Sequence, residues 1–227
     1  PMVMNAIEAK KLIQIRDKTR KLLAVAFPGS FSPAIQKLKT ILAKNEIGKI
    51  ASVSAFVHQQ WKKGTTGTWR QKPEISGGGF LFDTGSHMIN TVVDIVGEDI
   101  TKVSAILDNC GTPVEINSSV SAVSKNGTLI SLAGAGDSIQ CASEIMLFGD
   151  NGIIKTGIWG ERLMIKRKNG NDFKPIPFPK SKGLWQKFLD VRSGKIENPC
   201  PPEVGLRLAK LMDMIRKSAN TGKTISI

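Results

Sequence analysis

The chain has 227 residues, 41% hydrophobic and 22% charged, with 32 basic and 19 acidic side chains and a formal net charge of +13. That balance is a globular one with material for a core, and no apolar run approaches the roughly 18 residues of a membrane helix. Three separated cysteines, Cys110, Cys141 and Cys200, and two histidines, His58 and His87, suggest neither a disulfide framework nor a metal centre, so a reducing cytoplasm is the expected compartment and no metal is expected.

The opening PMVMNAIEAKKLIQ lacks the order of a secretion signal and reads as the inside of something longer. The positive charge favours polyanions, phosphorylated ligands or a missing acidic portion. Its lysines and arginines are scattered, however, and no tyrosine interleaves with them, so a nucleic-acid partner is not expected.

Asn5 followed by Glu8 forms a capping box, and Ile7, Leu12 and Ile15 supply an apolar stripe for a helix to about residue 19. KLLAVAF then predicts a short strand buried in a parallel sheet. Helix and strand together look like the closing unit of an α/β domain. After FPGSF, Ser32 and Pro33 open a helix carrying Ile35, Leu38, Ile41 and Leu42 on one face, ended by Asn45 and Gly48.

From residue 50 the pattern changes to strands: IASVSAFVHQQW, then TKVSAILDN, EINSSVSAVSK, TLISLAG, CASEIMLFG, IIKTG and ERLMIKRK. Asn126-Gly127 and Asp150-Asn151-Gly152 mark hairpins. Two helices close the chain, one with Leu184, Trp185, Phe188 and Leu189 on one side, the other with Val204, Leu208, Leu211, Met212 and Ile215. The predicted class is α+β, a mainly antiparallel open-faced sheet with helices on one side. The predicted organisation is an α/β remnant over 1–28, a connecting helix over 29–45 and an α+β domain over 46–227.

Between the first two strands of that domain lies SGGGFLFDTGSHMINTVVDIVG. A helix opening near Asp83 places Asp83 and His87 on one face, with Met88, Ile89, Val92, Val93 and Val96 on the other. An ionised Asp83 beside His87 would orient the ring and favour its protonated form, keeping an acid or base available near neutral pH. Gly77, Gly78 and Gly79 would let the backbone approach a ligand. Arg70, after Trp69, is a fixed cation suited to a carboxylate, phosphate or hydroxyl-bearing ligand. Plainer roles stand beside these: Asp83 as a helix N-cap, His87 as a polar surface residue, the glycines as a turn, Arg70 as a solvated side chain. His58, within its strand run, reads as structural or exposed.

In chain order, FPGSFSPAIQKLK, WR at 69, SGGGFLFDTGSHMIN, IMLFGDNGII and NPCPPEVGLRLAKLMDMI together resemble the glucose-fructose oxidoreductase, inositol dehydrogenase and rhizopine-catabolism (Gfo/Idh/MocA) family. The resemblance implies a Rossmann domain for NAD or NADP, of which residues 1–28 would be the last helix and strand, and a C-terminal domain holding the substrate. It implies hydride exchange with a hydroxyl or carbonyl carbon of a sugar, inositol or related polyol. His87 would be the catalytic acid/base, Asp83 would position it or the substrate, and Arg70 would bind substrate. Pro1 looks like the proline of the family's Glu-Lys-Pro signature at the cofactor. The open sheet face would carry homo-oligomer contacts.

The family's Gly-x-Gly-x-x-Gly turn is not found here, so these 227 residues alone are expected to bind no nucleotide and to be inactive. FPGSF stands where many members carry an Asn- or Arg-containing turn, which removes polar contacts. The alternative reading is a non-catalytic sensing or scaffold member.

Overall fold

A computed structural model describes all residues from Pro1 to Ile227. Its centre is one nine-stranded sheet. The strands are β1 (Ile50–Gln60), β2 (Ile100–Asp108), β3 (Asn117–Ser124), β4 (Leu129–Ala135), β5 (Asp137–Gly149), β6 (Gly152–Thr156), β7 (Leu163–Arg167), β8 (Lys174–Pro175) and β9 (Ile225–Ser226), in the order β8-β7-β6-β5-β1-β4-β3-β2-β9. Every neighbouring pair is antiparallel except β1 with β4, which run parallel at the centre.

Strict alternation gives the sheet two faces. Val53, Ile130, Ala122 and Val103 sit side by side on the inner face, and Leu147, Ile154 and Ile165 extend the row. All of them are buried. One residue on, Ser54, Ser131, Ser121 and Ser104 form an exposed row on the outer face.

Helices cover the inner face, as expected of an α+β fold. They are α1 (Ala6–Thr19), α2 (Pro28–Phe31), α3 (Pro33–Ala43), α4 (Trp61–Thr65), α5 (Pro73–Ser76), α6 (Phe80–Asp83), α7 (Gly85–Val96), α8 (Leu184–Arg192) and α9 (Pro202–Thr221), with a 3-10 turn over Trp69–Gln71. α7 packs on β1 and α9 on β2, while α1 lies against α9. The α7 stripe Met88, Ile89, Val92 and Val93 is buried. At its end α9 is pinned by Ser218, whose hydroxyl accepts from the Ala105 amide of β2 at 2.9 Å and donates to the Lys223 carbonyl at 2.7 Å.

Residues 21–27 pair with no strand among these 227 residues, and the Val25 amide bonds to the Cys200 carbonyl at 2.9 Å. The first helix departs from expectation in one respect. The Asn5 cap holds as predicted, its side chain accepting from the Glu8 amide at 3.0 Å. Yet Ile7 and Ile15 on the predicted apolar stripe are exposed, and only Ala9 of α1 is buried. Leu12 and Ile13 are half-buried.

Candidate active site

α6 and α7 form a nearly continuous helical stretch, interrupted at Thr84, and they carry Asp83 and His87. The stretch is seated by the glycine loop ahead of it. A Cβ on Gly79 would lie 2.0 Å from the Glu115 carbonyl oxygen, and one on Gly77, with φ of 75°, would lie 2.6 Å from Met4 Cγ. The Phe80 amide donates to the Glu115 carbonyl at 2.8 Å and the Phe82 amide to its carboxylate at 3.1 Å. These glycines therefore permit a close approach of the chain's own 115 segment and N-terminus. Arg216 of α9 clasps the same loop, donating to the carbonyls of Met4 and Gly77, with its guanidinium over the Phe82 ring.

Asp83 does not cap α7, whose N-cap position is Thr84. Its Oδ2 accepts two hydrogen bonds, from Trp61 Nε1 at 2.8 Å and from Arg70 Nε at 3.2 Å. Arg70 is itself held with its guanidinium 4.7 Å from the Trp69 ring centroid. Trp61 is buried, its backbone amide bonded to the Gly136 carbonyl at 2.9 Å and its ring edge-on to Phe80. One carboxylate oxygen is thus doubly engaged from the protein side, and Oδ1 remains for other partners.

Trp61 was not legible as a site residue, since it reads as the last position of an apolar strand. The only hint is that a buried indole needs an acceptor. A neighbouring bond, from the Thr84 hydroxyl to Gln59 Oε1 at 3.1 Å, ties the helical stretch to β1 as well.

His87 has very different neighbours. Its ring lies edge-on to Phe27 with centroids 5.6 Å apart and tilted to Trp159 at 6.3 Å. Nδ1 is buried without a hydrogen-bond partner. Burial is the main cause that lowers its pKa to about 4, against the opposing pull of Asp83. The expectation that Asp83 would favour the protonated ring is thereby corrected: desolvation outweighs the carboxylate, and the imidazole is neutral at pH 7.

Pro1 is exposed and lies at the Asp83 and His87 end of the site. The structure thus gathers Pro1, Asp83 and His87 within electrostatic reach of one another and links Arg70 to Asp83.

The 27–31 turn is less apolar in effect than its sequence suggests. Asn90, buried in α7, donates to Ser30 Oγ at 3.0 Å, and Gln36 donates to the Ser30 carbonyl at 2.7 Å. Gly29 is required there, because a Cβ would lie 2.2 Å from Thr91 Oγ1. His58 lies away from this site on β1, with Nδ1 2.9 Å from the Gln140 carbonyl and its ring stacked on Phe56. No group of three or more His, Cys, Asp or Glu side chains is placed to hold a metal ion, and no helix is long and apolar enough to cross a membrane.

Residues 35–155 match the GFO/IDH/MocA C-terminal domain family. The chain is 25% identical over 223 residues to Oxidoreductase P35 of Formosa agariphila, an alignment covering 94% of this chain and 68% of that protein. Its fold matches levoglucosan dehydrogenase, solved with NADH and levoglucosan, at a TM-score of 0.86 and 18% identity, over 99% of this chain and 71% of that one. It also matches the aldose-aldose oxidoreductase from Caulobacter crescentus, solved with glycerol, at a TM-score of 0.85 and 18% identity, over 100% of this chain and 70% of that one.

Proposed function

The chain belongs to the GFO/IDH/MocA family, and from that premise we propose that it forms the substrate-side part of an NAD(P)-dependent oxidoreductase acting on a sugar, inositol or related polyol. The observation that carries this reading is the pairing of a doubly anchored Asp83 with a neutral, partly buried His87 on one helical stretch. Relatives of the same fold that were solved with levoglucosan and with glycerol point to the same substrate class.

A neutral imidazole can accept the proton of a substrate hydroxyl as negative charge develops on its oxygen, and that charge in turn raises the affinity of the ring for the proton. Asp83 Oδ1 is left to orient the hydroxyl or the ring, and Arg70, held at the opposite oxygen, sits where it can donate to further hydroxyls. The residues present do not make up a whole dinucleotide site, since the Gly-x-Gly-x-x-Gly turn that follows the first strand of such a domain does not occur among the 227 residues. The role assigned to these residues is therefore limited to the hydroxyl and its proton, and the 227 residues by themselves are proposed to be inactive.

Two surfaces fit the family's larger organisation. The unpaired 21–27 segment borders an apolar cavity of about 410 Å³ lined by Ala24, Val25, Ala26, Phe31, Leu184, Trp185 and Phe188. This supports assigning residues 1–28 to a dinucleotide domain whose sheet packs there, 29–45 to a connecting helix and 46–227 to the substrate domain. The open sheet face carries its serine row beside exposed Phe56, Ile106 and Leu129, a flat surface suited to a second copy of the chain. Light scattering over a concentration series that finds only monomer would remove the self-association proposal.

Turnover tests the catalytic reading. In the gene product that contains this chain, His87→Asn is expected to lower kcat with NAD or NADP and a polyol or aldose by roughly 10²–10⁴-fold, as loss of a general base does. Unchanged turnover would remove His87 from the chemistry. A folded gene product that binds sugar but turns over no member of a polyol and aldose panel would favour the sensing or scaffold role.

A further inference from the structure

The Trp159 ring stands between His87 and a second space. It is tilted to the imidazole at 6.3 Å and also lines a cavity of about 250 Å³ with Phe178, Phe31, Leu184, Ser32 and Ser181. The turn that presents it is hung from the helix that carries His87. Thr91 of α7 donates to the Ile158 carbonyl at 2.8 Å, the Ile158 amide donates to Ser143 Oγ at 3.1 Å, and the Trp159 amide to Glu161 Oε2 at 3.2 Å. Gly160 follows with φ of 76°, and a Cβ there would lie 2.1 Å from Ser32 Oγ, so the turn is pressed against the start of α3. The Trp159 backbone is thus fixed relative to His87 by helix α7 itself.

Flat aromatic faces with a few hydroxyls are the surface on which the C–H face of a pyranose ring settles, since the electron-rich ring face attracts the polarised C–H edges. The cavity lies below the ~300 Å³ at which drug-sized ligand sites begin, which leaves room for one ring. We infer that this cavity is a second sugar subsite with Trp159 as its platform, and that the substrate presented to His87 is a glycoside or oligosaccharide bearing one pyranose ring beyond the reacting one. This rests on the proposed sugar or polyol reading of the His87 site.

The test uses the 15N-labelled gene product that contains this chain, with the Trp159 indole signal assigned through Trp159→Phe and the His87 ring signals through His87→Gln. Glucose, myo-inositol, maltose and cellobiose are titrated separately. A disaccharide is expected to move both Trp159 and His87 signals and to bind about tenfold or more tightly than glucose. Trp159→Ala and Phe178→Ala are each expected to reduce that advantage to less than about threefold, with the His58 signals unchanged as a check on the fold. Disaccharides that bind no more tightly than glucose and leave the Trp159 indole unmoved would overturn the subsite while leaving the sugar reading in place. If none of the four moves the His87 signals, the sugar reading falls, and the subsite falls with it.

Discussion

The two ends of the candidate site differ more than their spacing suggests. Asp83 and His87 sit four positions apart on one helical stretch, yet Asp83 is held by two donors while the Nδ1 atom of His87 has none. At the Asp83 end, buried Trp61 and half-exposed Arg70 converge on a single oxygen, which fixes a charge in place. At the His87 end, aromatic rings and burial make charge unwelcome. Unlike surroundings thus put an anchored carboxylate beside a neutral imidazole.

Both ends of the site share one footing. Phe80 is fully buried beneath Trp61 and starts the helical stretch that carries Asp83. Phe80→Ala is expected to destabilise the chain by about 3–5 kcal/mol, read by urea unfolding, through the cavity it leaves. A loss below about 1 kcal/mol would mean that the two ends do not share this support.

Acid sharpens the contrast at the His87 end. Its folded pKa of about 4 lies below the ordinary value of 6.5, so the unfolded chain takes up the proton first. The contribution of His87 to stability is complete above about pH 6.5 and is lost as pH falls toward 4, with a slope of up to about 1.4 kcal/mol per pH unit. His87→Gln should flatten unfolding free energy across that window relative to the parent chain. Equal slopes in the two proteins would contradict the assignment.

At the Asp83 end, Trp61→Phe keeps the ring and removes the donor. A cost of about 1.5–3 kcal/mol is expected, the range for hydrogen bonds to charged groups. Stability within a few tenths of the parent would show that the indole bond contributes nothing net. Arg70→Ala should have the smallest effect on folding, below about 1 kcal/mol, because both partners of the pair are about 40% exposed, at 42% and 39%. Its larger consequence is expected in KM for the sugar, and an unchanged KM would remove Arg70 from substrate binding.

Much of this was legible in local pattern. The Asn126-Gly127 and Asp150-Asn151-Gly152 turns place two hairpins, and the periodicity of Met88, Ile89, Val92 and Val93 places the buried face of α7. The parallel pairing of β1 with β4 was not legible, because alternation sets which face a residue occupies and not which distant strand lies beside it.

Within the site, Asp83, His87 and Arg70 stood out by residue type and spacing, and the glycines by their run. Their surroundings did not. That Trp61, 22 positions away, donates to Asp83, and that Phe27 and Trp159 flank His87, are consequences of tertiary packing. The same packing reverses the expected effect on the histidine, because local sequence shows the nearby carboxylate and conceals the burial.

The central claim is that His87 is held neutral beside an anchored Asp83. It is tested most directly by following the ring signals of the two histidines against pH by NMR, assigned through His87→Gln. The account predicts that His87 titrates near 4, well below the ordinary value of 6.5. Titration at or above that ordinary value would show a solvated or carboxylate-dominated ring and would contradict the account.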